Sequence, residues 1–164
     1  MKKTSLMTAG FIALLSIAFY SFATSGITTM SKEIQWITFE EAIALKATYP
    51  EKKILVNVYT DWCKWCKVMD DKTFTDLKVA AYVNTHYLPV KFNAEQKNDI
   101  EFKGKTYSYT KSGQRGIHQL AYELMDRSAS FPSVVLLDEN MKDLSLIKGF
   151  KSPEGLMTEL AEFN

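Results

Sequence analysis

The chain has 164 residues, of which 46% are hydrophobic and 24% charged, and its formal net charge is +1. At about 150 residues per domain this length predicts one globular domain, and the composition excludes a disordered, collagen-like or coiled-coil chain. The balanced charge gives no reason to expect nucleic-acid binding, and two cysteines are too few for a scaffold stapled by several disulfides.

The N-terminal segment has the pattern of a secretory signal peptide. Two lysines precede an uncharged, mostly apolar stretch at residues 6–23, and Ser21 and Ala23 put small residues at the −3 and −1 positions of a cleavage site after Ala23. About 18 uncharged residues also just span a bilayer, so an uncleaved anchor in the inner membrane is the alternative. Both interpretations predict a folded domain at residues 24–164 that is exported, most simply to the periplasm.

The first half of the folded part predicts strands alternating with helices. Thr38, followed three residues later by Glu41, forms a capping box that starts a helix. The run KILVNVYT at residues 53–60 is rich in β-branched residues and predicts a buried central strand interrupted by Asn57. The predicted elements are an extended segment at 31–38, a helix at 40–48, a strand at 53–60, a helix at 63–70, a helical stretch capped by Thr75 or Asp76, and a strand at 87–93.

The second half contains a less regular segment at residues 98–113, where aromatic residues flank Gly104 and predict a small hairpin. Residues 117–125 are apolar at helical spacing, which puts His118 on a helix as a partly buried structural residue rather than a proton shuttle. Strands at 133–137 and 144–150 and a helix at 152–163 complete the chain. This order predicts an α/β sandwich around one mixed sheet.

Cys63 and Cys66 lie where the central strand turns into a helix. Two cysteines three positions apart on a first helical turn can close a small disulfide, and free N–H groups at the helix start favour the thiolate of Cys63. Lys64 and Lys67 add positive charge nearby. We expect Cys63 to be the nucleophile, with a pKa below the free value of about 8.5, and Cys66 to be the resolving thiol.

Two other uses of the cysteine pair have to be weighed. A zinc site would need two further ligands, and the spacing of His86 and His118 matches no zinc finger, so no metal is expected. An inert structural disulfide is the other alternative. Placement directly after a strand, with Trp62 beside it, favours redox chemistry.

The stretch ILVNVYTDWCKWCK at residues 54–67 resembles the active-site region of the thioredoxin family. The run VKFN at 90–93 is similar to that family's third strand, and FPS at 131–133, followed by VVLL, is similar to its cis-proline loop and next strand. The likeness covers about residues 40–163 and is strongest to secreted relatives with a WCxxC motif and an insertion before the cis-proline. It implies a thioredoxin-like three-layer sandwich, a mixed central sheet flanked by helices, with residues 98–113 inserted.

The resemblance also implies a binding surface around the cysteines. Pro132 is expected to be cis and its loop to lie against the disulfide. Phe131 and Ser133 would offer backbone groups to an extended substrate segment, as a short added strand. Trp62 and Trp65 would supply apolar contact around the sulfurs.

The sequence departs from the family at positions that tune cysteine chemistry. Asn57 stands where the family commonly has an acidic residue, and an amide cannot accept a proton in this range, so we expect Cys66 to lack a dedicated buried base. Lys91 matches a family lysine that would pair with that carboxylate, and we expect it to be unpaired and to favour the Cys66 thiolate. Lys64 and Trp65 replace the Gly-Pro of thioredoxin proper, so the family's redox poise does not carry over.

The residues and the resemblance together predict an exported thiol–disulfide oxidoreductase that exchanges disulfides with proteins through Cys63 and Cys66, without a cofactor. The resemblance alone favours the reducing direction and a membrane electron donor. The alternative is a non-enzymatic thioredoxin-fold binding or chaperone module with a static disulfide.

Overall fold

The computed structural model describes residues 32–112 and 114–163. The predicted signal peptide or anchor at residues 1–23 lies outside these ranges. Within them, no helix has the length and apolar character needed to cross a membrane.

Helices and strands follow in the predicted order, with four short strands between the second long strand and the next helix, two of which form the predicted hairpin. The elements are α1 (Phe39–Leu45), β1 (Lys53–Tyr59), α2 (Lys64–Lys72), α3 (Leu77–His86), β2 (Tyr87–Asn93), β3 (Ile100–Phe102), β4 (Lys105–Tyr107), β5 (Tyr109–Ser112), β6 (Arg115–His118), α4 (Gln119–Leu124), β7 (Ser133–Leu137), β8 (Asp143–Lys148) and α5 (Pro153–Ala161).

A four-stranded mixed sheet in the order β2-β1-β7-β8 forms the centre of the fold. Strand β1 runs parallel to β2 and antiparallel to β7, and β8 pairs antiparallel with β7. The predicted extended segment at 31–38 touches this sheet through a single parallel bridge between Ile37 and Val90. The α/β class and the mixed sheet are therefore confirmed.

Two hydrophobic layers cover the two faces of the sheet, because successive side chains of a strand point to opposite faces. Ile54 and Val56 of β1 pack with buried residues of α1 and α4. Leu55, between them, packs with buried residues of α2, α3 and α5. Asn57 follows the period of Leu55 and so lies on the α2 side of the sheet.

The start signals of α1, α3 and α5 match the structure. The capping box is present, with the backbone N–H of Thr38 donating to a Glu41 carboxylate oxygen at 2.7 Å and the Glu41 N–H donating to the Thr38 hydroxyl at 3.2 Å. Asp76, rather than Thr75, caps α3. Ser152 caps α5, in which Pro153 is the first helical residue.

The segment between β2 and α4 forms two antiparallel hairpins. The predicted hairpin at Gly104 is confirmed: β3 pairs with β4, and Lys103 and Gly104 both have positive φ, at 52° and 72°. A turn of this kind has positive φ at both central residues and suits Gly at the second. The second hairpin, β5–β6, was not predicted, and it extends to residue 118.

The helix predicted at 117–125 begins only at Gln119, so the placement of His118 on a helix is wrong. The His118 N–H donates to the Ala94 carbonyl at 2.7 Å, which pins the end of β6 to the end of β2. His118 is fully buried and is the N-cap of α4, where its Nδ1 accepts from the Leu120 N–H at 3.3 Å and its Nε2 lies 3.0 Å from the Asn98 carbonyl. Burial lowers the pKa of His118, so the ring is neutral near pH 7.

Candidate active site

Cys63 and Cys66 form a disulfide with an S–S distance of 2.08 Å. Cys63 is the N-cap of α2 rather than its first helical residue, and its N–H donates to the Thr60 carbonyl just after β1. The Cys66 N–H donates to the Cys63 Sγ at 3.1 Å. When the bond is reduced, the same N–H and the positive end of the helix dipole are available to stabilise a Cys63 thiolate.

Two exposed tryptophans flank this disulfide, although both cysteines are themselves buried. Trp62 is 49% exposed and its ring meets the Phe131 ring edge-on, with 5.8 Å between centroids. Trp65 is 59% exposed and its ring lies 5.6 Å from that of Phe150. Exposed aromatic side chains that lie together are typical of interaction surfaces.

The Phe131–Pro132 loop lies at the same end of the sheet. Its X–Pro peptide bond is cis, and the Pro132 carbonyl accepts from the Gly149 N–H at 2.9 Å. A small groove of about 180 Å³ is lined by Pro132 and Phe131 on one side and by Trp65 and Phe150 on the other. The structure thus brings together the cysteine helix and the proline loop, which are far apart in sequence.

Beneath α2, three polar side chains from three elements form a connected cluster, which we call the carboxylate cluster: Asn57, Asp70 and Lys91. Register places Asn57 directly opposite Lys91 on neighbouring strands. The Lys91 ammonium lies 2.8 Å from Asp70 Oδ2, and the Asn57 amide N–H donates to Asp70 Oδ1 at 3.4 Å. The Asn57 amide oxygen, Oδ1, is buried and has no hydrogen-bond partner within the described ranges.

This cluster overturns the expectation that Lys91 is unpaired. Strand β1 has Asn57 in place of the acidic residue expected from the resemblance, and Asp70 of helix α2 supplies a carboxylate to Lys91 instead. Asp70 was not identified from the sequence. The i, i+4 spacing from Cys66 was the available signal, since residues four apart lie on one helix face with about 5–6 Å between Cβ atoms. The Lys91 charge is therefore shared with a carboxylate rather than directed at Cys66 alone.

The remaining predicted residue, Lys64, does not join this constellation. It is the first residue of α2 and is exposed, and no ion pair involves it among residues 32–112 and 114–163. Its charge adds to the positive field at the helix start without a fixed partner. Within the same ranges, no group of three His, Cys, Asp or Glu residues is arranged to hold a metal ion.

Comparison with known proteins places this geometry in context. The family model described as "Thioredox_DsbH: Protein of unknown function, DUF255" matches residues 26–147. A curated relative, "Uncharacterized protein B0495.5" of Caenorhabditis elegans, is 25% identical over 83 residues, which are 51% of this chain and 11% of that protein. The chain thus spans about a tenth of the length of this relative.

Solved structures share the fold. The "DsbH Oxidoreductase" structure has a TM-score of 0.57 at 21% identity, covering 81% of this chain and 85% of that one. A thioredoxin from Thermus thermophilus has a TM-score of 0.59 at 16% identity, covering 79% and 86%. The C-terminal domain of Neisseria meningitidis DsbD in its reduced form has a TM-score of 0.50 at 18% identity, covering 75% and 90%. At these identities the likeness shows a thioredoxin-like fold.

Proposed function

Because this chain belongs to the Thioredox_DsbH family, whose model matches residues 26–147, we propose that it is an exported oxidoreductase that reduces disulfides in protein clients. The observation that carries the proposal is the Cys63–Cys66 disulfide at the N-terminus of α2, flanked by exposed Trp62 and Trp65. A bond that merely stabilised the fold would gain nothing from an exposed apolar surround.

The exchange proceeds in two steps. The Cys63 thiolate attacks one sulfur of the client disulfide, which forms a mixed disulfide and releases the first client thiolate. The Cys66 thiolate then attacks the Cys63 sulfur, which releases the second client thiolate and restores the Cys63–Cys66 bond. The client gains two electrons and this chain loses two, so a donor dithiol must reduce the pair again. We propose that this donor is a membrane protein.

The carboxylate cluster supports the reducing direction. A negative charge disfavours a nearby thiolate, and a dithiol with a less stable thiolate form gives up its electrons more readily. Asp70 lies one helical turn from Cys66, and its ion pair with Lys91 neutralises a cation that would otherwise favour the thiolate. The aromatic surround of Trp62, Trp65 and Phe131 fits an unfolded or extended client segment, and the proline loop offers it a backbone edge.

The reduction potential separates this proposal from a static disulfide. The purified protein is equilibrated in glutathione buffers of graded ratio, quenched with acid and alkylated, and the reduced fraction is read by mass. An exchanging pair is expected between about −270 and −120 mV, towards the lower end for a reductant. A value well below about −300 mV would contradict the proposal and favour a binding or chaperone module with a structural bond.

A second assay tests turnover directly. The protein is expected to accelerate the reduction of insulin disulfides by dithiothreitol, and the double variant Cys63→Ser, Cys66→Ser serves as its matched control. Equal rates for both proteins would contradict an enzymatic role.

Export is proposed from the pattern of residues 1–23. Cell fractionation should place the protein outside the cytoplasm, and N-terminal sequencing should find Thr24 if the segment is cleaved. An intact N-terminus in the membrane fraction would favour the anchor, and a cytoplasmic protein would contradict export.

A further inference from the structure

A second and larger groove shares Phe131 with the groove at Pro132 and is also lined by Trp62. Its volume is about 710 Å³, within the range of about 300–1,000 Å³ that is typical of ligand pockets. Hairpin β5–β6 and helix α4 form one wall, with Ile117 and Tyr122, and the rings of Trp62 and Phe131 form the other. Strand β5 of this hairpin lies within residues 98–113, the segment that the minimal thioredoxin-like pattern does not contain.

Arg115 gives this groove a positive charge. Its guanidinium lies 4.3 Å from the centroid of the Trp62 ring, so it stacks on the tryptophan next to Cys63. Arg115 is exposed, and no carboxylate of the described chain lies within ion-pair distance of it. A guanidinium that lies over a ring can still bind a carboxylate through N–H groups at the edge of its plane.

A buried hydroxyl in the same lining also lacks a partner. Thr60 is 2% exposed and lines the groove, and its Oγ1 has no hydrogen-bond partner among residues 32–112 and 114–163. A buried polar atom without a partner costs free energy. The Thr60 carbonyl already accepts from the Cys63 N–H, so this hydroxyl lies close to the redox pair.

The charge around the hairpins has one predominant sign. Glu95 is the other charged residue in the lining, and it is half-buried. From residue 97 to residue 115 the chain carries five cations against two anions, namely Lys97, Lys103, Lys105, Lys111 and Arg115 against Asp99 and Glu101. An acidic partner complements this excess.

We propose that this groove binds an extended client segment in which an apolar side chain lies next to an acidic residue, close to the client cysteine. The apolar side chain packs against Tyr122 and the Trp62 ring, and the carboxylate binds Arg115. The inference rests on the proposed function and adds a client preference to it. Trp62 connects the two, because its ring both lines the groove and adjoins Cys63.

Chromogenic peptides test the preference. Two peptides carry one cysteine as a mixed disulfide with thionitrobenzoate and a phenylalanine near it, with glutamate beside the phenylalanine in one and lysine in the other. The reduced protein attacks the peptide sulfur, thionitrobenzoate leaves and is read by absorbance, and Cys66 then releases the peptide thiol. The measured quantity is the ratio of rate constants for the acidic and the basic peptide, from which the intrinsic reactivity of Cys63 cancels.

The wild type is expected to favour the acidic peptide about fivefold to tenfold at low salt, and Arg115→Glu is expected to reverse that preference. Lys111→Glu is the matched control: it makes the same charge change on the same hairpin, outside the groove lining, and should keep the preference for the acidic peptide. Tyr122→Ala should slow the phenylalanine peptides relative to alanine counterparts. Circular dichroism checks that each exposed-site variant is folded.

The outcomes are distinct. A wild type that reacts with both peptides equally, or an Arg115→Glu variant that behaves like Lys111→Glu, overturns the groove proposal while leaving the proposed function intact. A faster reaction with oxidised glutathione than with either peptide, lost in Arg115→Glu, also overturns it and assigns the groove to a small anionic disulfide. No reaction even with 5,5′-dithiobis(2-nitrobenzoic acid) contradicts the proposed function itself, and the groove proposal with it.

Discussion

Replacing Asp70 by asparagine removes the negative charge of the carboxylate cluster and keeps the side-chain shape. The Lys91 ammonium then loses a partner at 2.8 Å, in a pair whose side chains are 31% and 27% exposed. Exposed pairs contribute about 0–1 kcal/mol, and breaking a buried pair costs about 3–5 kcal/mol, so we expect a loss of about 1–2 kcal/mol. Contacts of Lys91 with the rings of Trp36 and Tyr59, at 5.9 and 5.3 Å, limit the loss.

Urea unfolding followed by tryptophan fluorescence measures this effect. With a slope of about 2 kcal/mol per molar urea, the midpoint of Asp70→Asn should fall by about 0.5–1 M. Asp71→Asn is the matched control, because Asp71 is the next residue of α2, is exposed and forms no ion pair within the described part of the chain. Equal midpoints for the two variants would refute the argument that the cluster stabilises the fold.

The same variant tests the influence of the cluster on redox chemistry. Loss of a negative charge one turn from Cys66 favours the thiolate form of the cysteines. A more stable thiolate stabilises the reduced state, so the potential of Asp70→Asn should move to less negative values. Each 30 mV corresponds to about 1.4 kcal/mol of difference between the two redox states. A potential equal to that of Asp71→Asn would show that Asp70 does not act on the cysteine pair.

Three further predictions follow from the site and the core. Cys66→Ser should accumulate mixed disulfides with clients on non-reducing gels and Cys63→Ser should not, because only the first lacks the resolving thiol; equal yields would contradict the division of roles. Asn57→Asp places a second carboxylate beside Asp70 Oδ1, which the Asn57 amide now contacts at 3.4 Å, and should lower the urea midpoint. The double variant Asn57→Asp, Asp70→Asn has a single carboxylate beside Lys91 and should recover most of the loss. A double variant no more stable than Asn57→Asp would exclude charge repulsion as the cause. Burial raises the pKa of Tyr87 to about 12, above its ordinary value of 10.0, so the stability held below pH 10 is lost as the pH rises through about 12. Tyr87→Phe removes an unpartnered buried hydroxyl, so near pH 7 it should unfold at the same or a higher urea concentration, and it should lack the alkaline loss. Parallel curves for both proteins up to pH 12 would contradict the assignment.

Elements with local signals were predictable from the sequence. The capping box of Thr38 and Glu41 depends on residues three apart, and the strand at 53–60 depends on a continuous β-branched run, so both are visible without knowledge of the fold. The cysteine motif and its place at a helix start are also local. These elements and the thioredoxin-like class were therefore recovered.

Elements that depend on tertiary contacts were not recovered. Ile117 and His118 continue the apolar pattern of α4, yet they lie in β6 because the His118 backbone bonds to Ala94, which is distant in sequence. Strand register likewise decides the pairing of Asn57 with Lys91, and only the folded sheet shows that Asp70 reaches both. Patterns of hydrophobicity carry no information on which charged side chains meet.

The placement of both cysteines within one helical turn has a thermodynamic consequence. The bond links residues three positions apart, and a loop this short restricts the unfolded chain by only about 2 kcal/mol in the chain-entropy account. Both redox forms should therefore fold, so the change between them should leave the architecture unchanged. A closed cycle then connects folding to electron transfer: the difference in unfolding free energy between oxidised and reduced protein equals the difference in redox free energy between the folded and the unfolded pair. The unfolding free energies of the oxidised and the reduced protein, combined with the potential of an unfolded peptide carrying the CKWC sequence, thus give the potential of the native protein.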